Sequence, residues 1–263
     1  MNKRLRILRT NAVNSWQIST AYFGDSWGNV LSTIFYTVTL LIFLSVIFAN
    51  VKTMAGYSRN QMLFLLLVNQ INFYLIYAWS YNNVTKMVED VNRGAFDMLL
   101  VKPIPALFYT STRTIGTMSL LRDGLPSVTI FSLAIGWSAL HLSLGNLAAA
   151  FVVLIAGQLA LNAFFMFLGL PVFWLGQSAS LLDLGYSISS LDIPYEGVTT
   201  GLRTFLTVAV PCLLPTALAA SVALGKAPTG PSIALAISVA LGLTLIKQFL
   251  WRKALENYTS ASS

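Results

Sequence analysis

Four charges spaced three or four residues apart, Lys86, Glu89, Arg93 and Asp97, stand out in a chain of 263 residues that is 56% hydrophobic and only 10% charged. Residues at that spacing share one face of a helix, so the pattern predicts a ladder with opposite charges in register. Met98, Leu99, Leu100 and Val101 continue it as an apolar end, and Pro103 and Pro105 predict its stop. Such a helix is shaped to dock onto a partner; the plain alternative is a linker with a solvated face.

A second group of polar residues lies inside apolar runs, where polar side chains are costly: Asn69, Gln70 and Asn72, then Gln158 and Asn162, then Asp183. The amides suit hydrogen bonds between helices, and Asn69, Gln158, Asn162 and Asp183 are also candidates for a translocation path. Arg122 and Asp123 suit either a gate or snorkelling to headgroups. Chemistry beyond this is sparse. Gly225-Lys226 is followed by Ala and lacks the earlier glycine of a phosphate loop, no HExxH is present, His141 has no catalytic neighbour, and Cys212 is the single cysteine. The chain is therefore expected to bind no nucleotide, metal or other cofactor and to hold no catalytic residue.

These residues must be positioned by membrane-spanning elements, because so few charges cannot cover a soluble surface. The mean hydropathy is +0.71. Apolar runs long enough for about 30 Å of hydrocarbon predict six spans: 31–49, 61–80, 117–140, 146–174, 204–222 and 231–250. The first 29 residues lack the apolar core and small-residue site of a signal peptide. Leu5, Leu8, Ala12, Trp16, Phe23 and Trp27 instead predict an amphipathic interfacial helix behind Lys3, Arg4, Arg6 and Arg9. One unit over 1–263 is expected, with 1–29 on the membrane surface, 81–116 as a cytoplasmic loop and 193–228 re-entrant or outside.

Eleven of the sixteen cations fall before the first span, between spans two and three, or at the end of the last, which predicts that both termini and the 81–116 loop are cytoplasmic. The net charge of +7 thus serves topology; no polar face gathers it for nucleic acid. Residues 176–203 admit two readings. Either they form an inner loop, or 178–191 is a short fifth span and 204–225 is a re-entrant pair broken at Pro211 and Pro215. The second is preferred, since irregular backbone at membrane depth suits a pore or a dimer seam. Trp137, Trp174, Trp251, Tyr57 and Tyr258 near span ends read as interfacial anchors.

The run from Met87 to Tyr109, with Glu89, Arg93, Gly94, Asp97, Leu99, Leu100, Lys102 and Pro103, resembles the first cytoplasmic loop of six-span ABC-2 type transporter permeases. Asp192, Pro194, Arg203, Leu206, Thr207, Pro211 and Pro215 resemble that family's later Pro-containing segment, and 251–262 is similar to its ending. Ala95-Phe96 departs from the family, where an acidic or polar residue with Leu is usual. The resemblance implies an all-α exporter-type fold with the re-entrant hairpin before the last span. It also implies a dimer with a second, identical or related permease in a bacterial cell membrane, and separate cytoplasmic ATPase subunits that carry ATP and Mg and dock on the loop. The expected cargo is amphipathic or hydrophobic. The rival expectation is an ATPase-independent carrier or membrane enzyme, which would require an internal repeat or clustered acid and base groups.

Overall fold

The computed structural model describes residues 3–21, 27–117, 119–176 and 178–258, and among these it is helical with no strand. The first helix, α1 (Lys3–Ala21), is followed by α2 (Trp27–Asn50). Trp27 thus opens the first apolar helix instead of closing the amphipathic one, and Phe23 lies outside the described residues. On α1, Leu8 and Ala12 are half-buried and Trp16 is exposed. Hydrogen bonds hold α1 to the loop ahead: Asn11 Nδ2 donates to Thr112 O at 2.9 Å, and Ser15 Oγ accepts from Ile115 N at 3.3 Å.

The second apolar segment is one continuous rod built from α3 (Arg59–Leu75), a π-helical turn (Ile76–Tyr81) and α4 (Asn82–Asn92). Its start is set by a reciprocal cap in which Ser58 and Gln61 each satisfy the other's backbone N–H. Two short helices follow, α5 (Asp97–Leu100) and α6 (Ala106–Thr112). A π-helical turn (Ser119–Gly124) then leads into α7 (Leu125–Ala134). Next come α8 (Leu144–Gly169), α9 (Val172–Leu175) and α10 (Ala179–Ile188). The chain ends with a bent pair, α11 (Thr200–Thr204) with Phe205–Ala209 and Leu214–Leu218 with α12 (Ala219–Ala223), and then α13 (Thr229–Glu256).

Four of these units are long and apolar enough to cross a membrane: Trp27–Asn50, Arg59–Asn92, Leu144–Leu175 and Thr229–Glu256, with the bent pair as a fifth if counted as one. The segment expected at 117–140 is continuously helical over Ser119–Ala134, about 24 Å long, with a separate 3₁₀ turn at Trp137–Ala139. The short segment at 178–191 is helical over ten residues, about 15 Å. α8 is the centre of the bundle. It lies against α13, the bent pair and the π turn of the rod, and its small residues Ala149, Ala156, Gly157, Ala160 and Ala163 let those backbones approach. At Gly157 an added Cβ would stand 2.6 Å from Pro215 N.

The halves of the bent pair meet at 104°. Pro211 lies in the break, where Val210, at φ −116° and ψ 86°, has left the helical region that a following proline disfavours. Pro215 does not break the backbone a second time: it occupies the first turn of the second half, where the missing N–H costs nothing.

Candidate functional site

The charged ladder is divided between two elements. α4 ends at Asn92, because Gly94 takes the left-handed conformation at φ +68°. Gly94 N donates to Val91 O at 3.2 Å and Ala95 N to Asp90 O at 2.8 Å, the paired bonds of a Schellman stop. Lys86 and Glu89 therefore lie on α4, Arg93 on its cap, and Asp97 begins α5. The single face expected from the spacing does not form, since a glycine able to adopt positive φ terminates the helix before the prolines do. Lys86, Glu89, Arg93, Lys102 and Pro103 are all exposed, as are Met98, Leu100 and Val101, the last at 83%; Leu99 is buried. The four-residue α5 thus presents an apolar knob beside separated charges.

Phe96, part of the departure from the family pattern, is what holds the knob. It is fully buried, with Phe173, Trp251 and Tyr258 around it at centroid distances of 5.3, 6.2 and 5.3 Å. Trp251 and Tyr258 are thereby members of an interior aromatic box, not interfacial anchors; Trp137 and Trp174 remain exposed. Burial, then the neighbouring Asp97 carboxylate, pushes the Tyr258 phenol up from its ordinary pKa. Asp90 and Arg113 form an ion pair that ties the end of α4 to the end of α6. Lys102 Nζ lies 4.4 Å from the Tyr109 ring centre and donates to its hydroxyl at 3.2 Å.

The in-span amides are buried and hydrogen-bonded to neighbouring helices and to the loop after α10. Asn69 Nδ2 donates to Asp192 and to Ser190 O, Gln158 Nε2 to Asn72 Oδ1 at 2.6 Å, and Asn162 Nδ2 to Ser80 Oγ at 3.3 Å. Asp183 is exposed and accepts from Tyr81 Oη at 2.6 Å. Between Asn69 and Asp183 runs an aromatic ladder that the sequence reading missed. Phe73, Tyr77 and Tyr81 follow Asn69 at steps of four along the rod, and Tyr186 of α10 lies 5.0, 6.3 and 4.9 Å from their ring centres. The spacing was visible in the sequence; its partner Tyr186, more than a hundred residues away, was not. Beside the ladder lie two adjoining cavities of about 350 and 320 Å3 that share Ser32, Thr33, Phe73 and Tyr74. The Arg122–Asp123 ion pair, at 2.7 Å, faces the second.

At the opposite end of the rod from the knob, Tyr57 is fully buried and donates to Glu196 Oε2 at 2.6 Å, and Ser221 Oγ also donates to that carboxylate. Lys226 Nζ lies 4.5 Å from the Tyr57 ring centre and donates to Gly56 O at 2.7 Å. Tyr57 is thus a latch between loops and not an interfacial anchor. Pro194 precedes a 3₁₀ turn (Tyr195–Gly197), and the Arg203 guanidinium stacks over Tyr195 at 5.1 Å.

A bundle of long apolar helices with buried amides and an exposed loop knob is the architecture of a multi-pass membrane protein. The chain belongs to the ABC-2 family transporter proteins, whose family model matches residues 34–262. No curated protein and no solved structure matches it. It is accordingly a multi-pass permease of an ABC transporter, a family that works with ABC ATPase components.

Proposed function

We propose that the chain is the permease subunit of an ATP-driven exporter in a bacterial cell membrane, with both termini cytoplasmic and a second permease, identical or related, completing a dimer. ATP and Mg act on separate cytoplasmic ATPase subunits, and the knob from Lys86 to Pro103 docks into them. The observation that carries this reading is the exposed apolar turn Met98, Leu100 and Val101, braced from inside by Phe96 at the free end of a 34-residue rod. Movement of the knob reaches membrane depth along that rod, which also bears the aromatic ladder. The cargo is amphipathic or hydrophobic, and it passes beside Asn69, Phe73, Tyr77 and Tyr186. The amides Gln158 and Asn162 serve helix association on this reading, and the bent pair with Arg203, Pro211 and Pro215 enters the membrane without crossing it.

Co-expression with an ATPase encoded beside it is the test. The ATPase is expected to co-purify with the chain and to be lost on Val101→Asp. An ATPase that never co-purifies with the unaltered chain, or one retained in full by the variant, overturns the docking assignment.

A further inference from the structure

A cleft of about 700 Å3 opens between the C-terminal part of α13, α8 and α6. Lys247 and Arg252 line it with Trp79, Phe108, Asn162 and Trp251, and no carboxylate is among its lining residues. Lys247 stands about 14 Å before the end of α13. Its Nζ donates to Asn162 Oδ1 at 3.1 Å. An ammonium carries three donors, and among the described residues this is the hydrogen bond made by Lys247. A half-buried cation that meets an amide alone calls for a counter-charge. Arg252 also has no ion pair among the described residues, whereas Lys253 beside it pairs with Glu256 at 2.9 Å.

We propose that this cleft binds the phosphate headgroup of an anionic phospholipid from the leaflet nearest the coupling knob. Three observations select that occupant. The lining offers two cations and no anion, so its charge complements a phosphate. The cleft has half-buried aromatic walls, Trp79 and Phe108, which suit the region just beneath a headgroup. The same helix exposes Leu241, Leu245 and Phe249, apolar surface for acyl chains. The basic α1 adds positive field, because Asn11 fastens it to Thr112 in the cleft wall. A lipid seated there touches α6, the return arm of the coupling loop, and so brings membrane composition into contact with the docking element. The assignment is independent of ATPase docking, since lipid retention is read on the permease alone.

The full chain is purified in micelles doped with equal phosphatidylglycerol and phosphatidylcholine, and retained lipid is read by native mass spectrometry. Preferential retention of phosphatidylglycerol is expected. Lys247→Gln and Arg252→Gln should each lower it about fivefold, as loss of one cation near an anionic headgroup predicts. Lys52→Gln, with the same charge change in a distant loop, should leave it unaltered. The amide introduced by Lys247→Gln retains a donor for Asn162, and an unshifted thermal midpoint will verify that the variant folds. Equal phosphatidylglycerol retention by all four proteins overturns the proposal. Displacement of the lipid by millimolar inorganic phosphate assigns the cleft to a free anion instead. Loss of a dimer with unchanged lipid retention assigns it to a second copy of the chain.

Discussion

The Phe96 ring stands edge-on to that of Phe173, with centroids 5.3 Å apart and planes inclined by 77°. Trp251 and Tyr258 close two further sides, so the turn between α4 and α5 is pinned to α9 and to the end of α13. Phe96→Ala removes a fully buried aromatic side chain, a change that costs about 3–5 kcal/mol in protein cores. A lower thermal midpoint and weaker ATPase retention are expected, with Phe96→Leu between the two. A Phe96→Ala variant indistinguishable from the parent in both measurements would mean that the box does not brace the knob.

Charge reversal separates docking from folding. Arg93 is exposed on the helix cap and no ion pair involves it among the described residues. Arg93→Glu should therefore change stability by no more than about 0.5 kcal/mol. In proteoliposomes with the partner it should uncouple ATP hydrolysis from transport. Asp97→Lys is expected to do more, since Asp97 also faces Tyr258. Transport that survives Arg93→Glu undiminished would remove Arg93 from the docking face.

The ladder makes a prediction about cargo. Tyr186→Ala deletes the ring that faces Phe73, Tyr77 and Tyr81. Transport and cargo-stimulated ATPase should fall while basal ATPase retention persists. If the variant moves every tested cargo at the parental rate, the ladder is a packing device.

Close packing at Gly157 gives a steric test. Its Cβ position lies 2.6 Å from Pro215 N, which is backbone and cannot swing aside. Gly157→Ala should displace the bent pair and destabilise by about 1–3 kcal/mol, seen as a lowered thermal midpoint. Gly145, with open space around it, is the control: Gly145→Ala should be neutral or slightly stabilising.

Alkaline pH probes the latch. Burial, then the hydrogen bond to Glu196, raises the Tyr57 phenol above its ordinary pKa. The folded value exceeds the unfolded one near 10, so the stability contributed is complete below that pH and is lost as pH rises through the folded value. Unfolding midpoints followed from pH 9 upward should fall less steeply in Tyr57→Phe than in the parent. Parallel slopes would refute the linkage.

Much of the architecture was legible from the chain. The long apolar runs in α2, the rod, α8 and α13 carry their own signal, since a span is defined by length and hydropathy alone. The apolar end from Met98 to Val101 was legible too, and Pro211 correctly marked a break. Misread features share one cause. Lys86 to Asp97 looked like one face because periodicity is blind to where a helix stops, and the stop depends on Gly94 reaching positive φ with Asp90 and Val91 carbonyls waiting for it. Tyr57, Trp251 and Tyr258 looked interfacial because sequence position near a span end says nothing about which neighbour covers the ring.

By itself, then, the sequence determined the apolar solvent, the place of the long apolar runs and the family, because these follow from local composition and from motifs confined to short stretches. Tertiary structure alone decided which side chains meet. Asn162 lies between Ser80 and Lys247, Tyr186 faces the rod, Phe96 turns inward to Phe173, and Glu196 closes over Tyr57. Each joins residues scores of positions apart, and a contact of that kind exists only once helices have packed. A chain whose charges are this few depends on those meetings, since the hydrogen bonds of Asn162 and Tyr57 determine whether buried polar groups are satisfied, and the ring contacts of Phe96 and Tyr186 fix which helices pack.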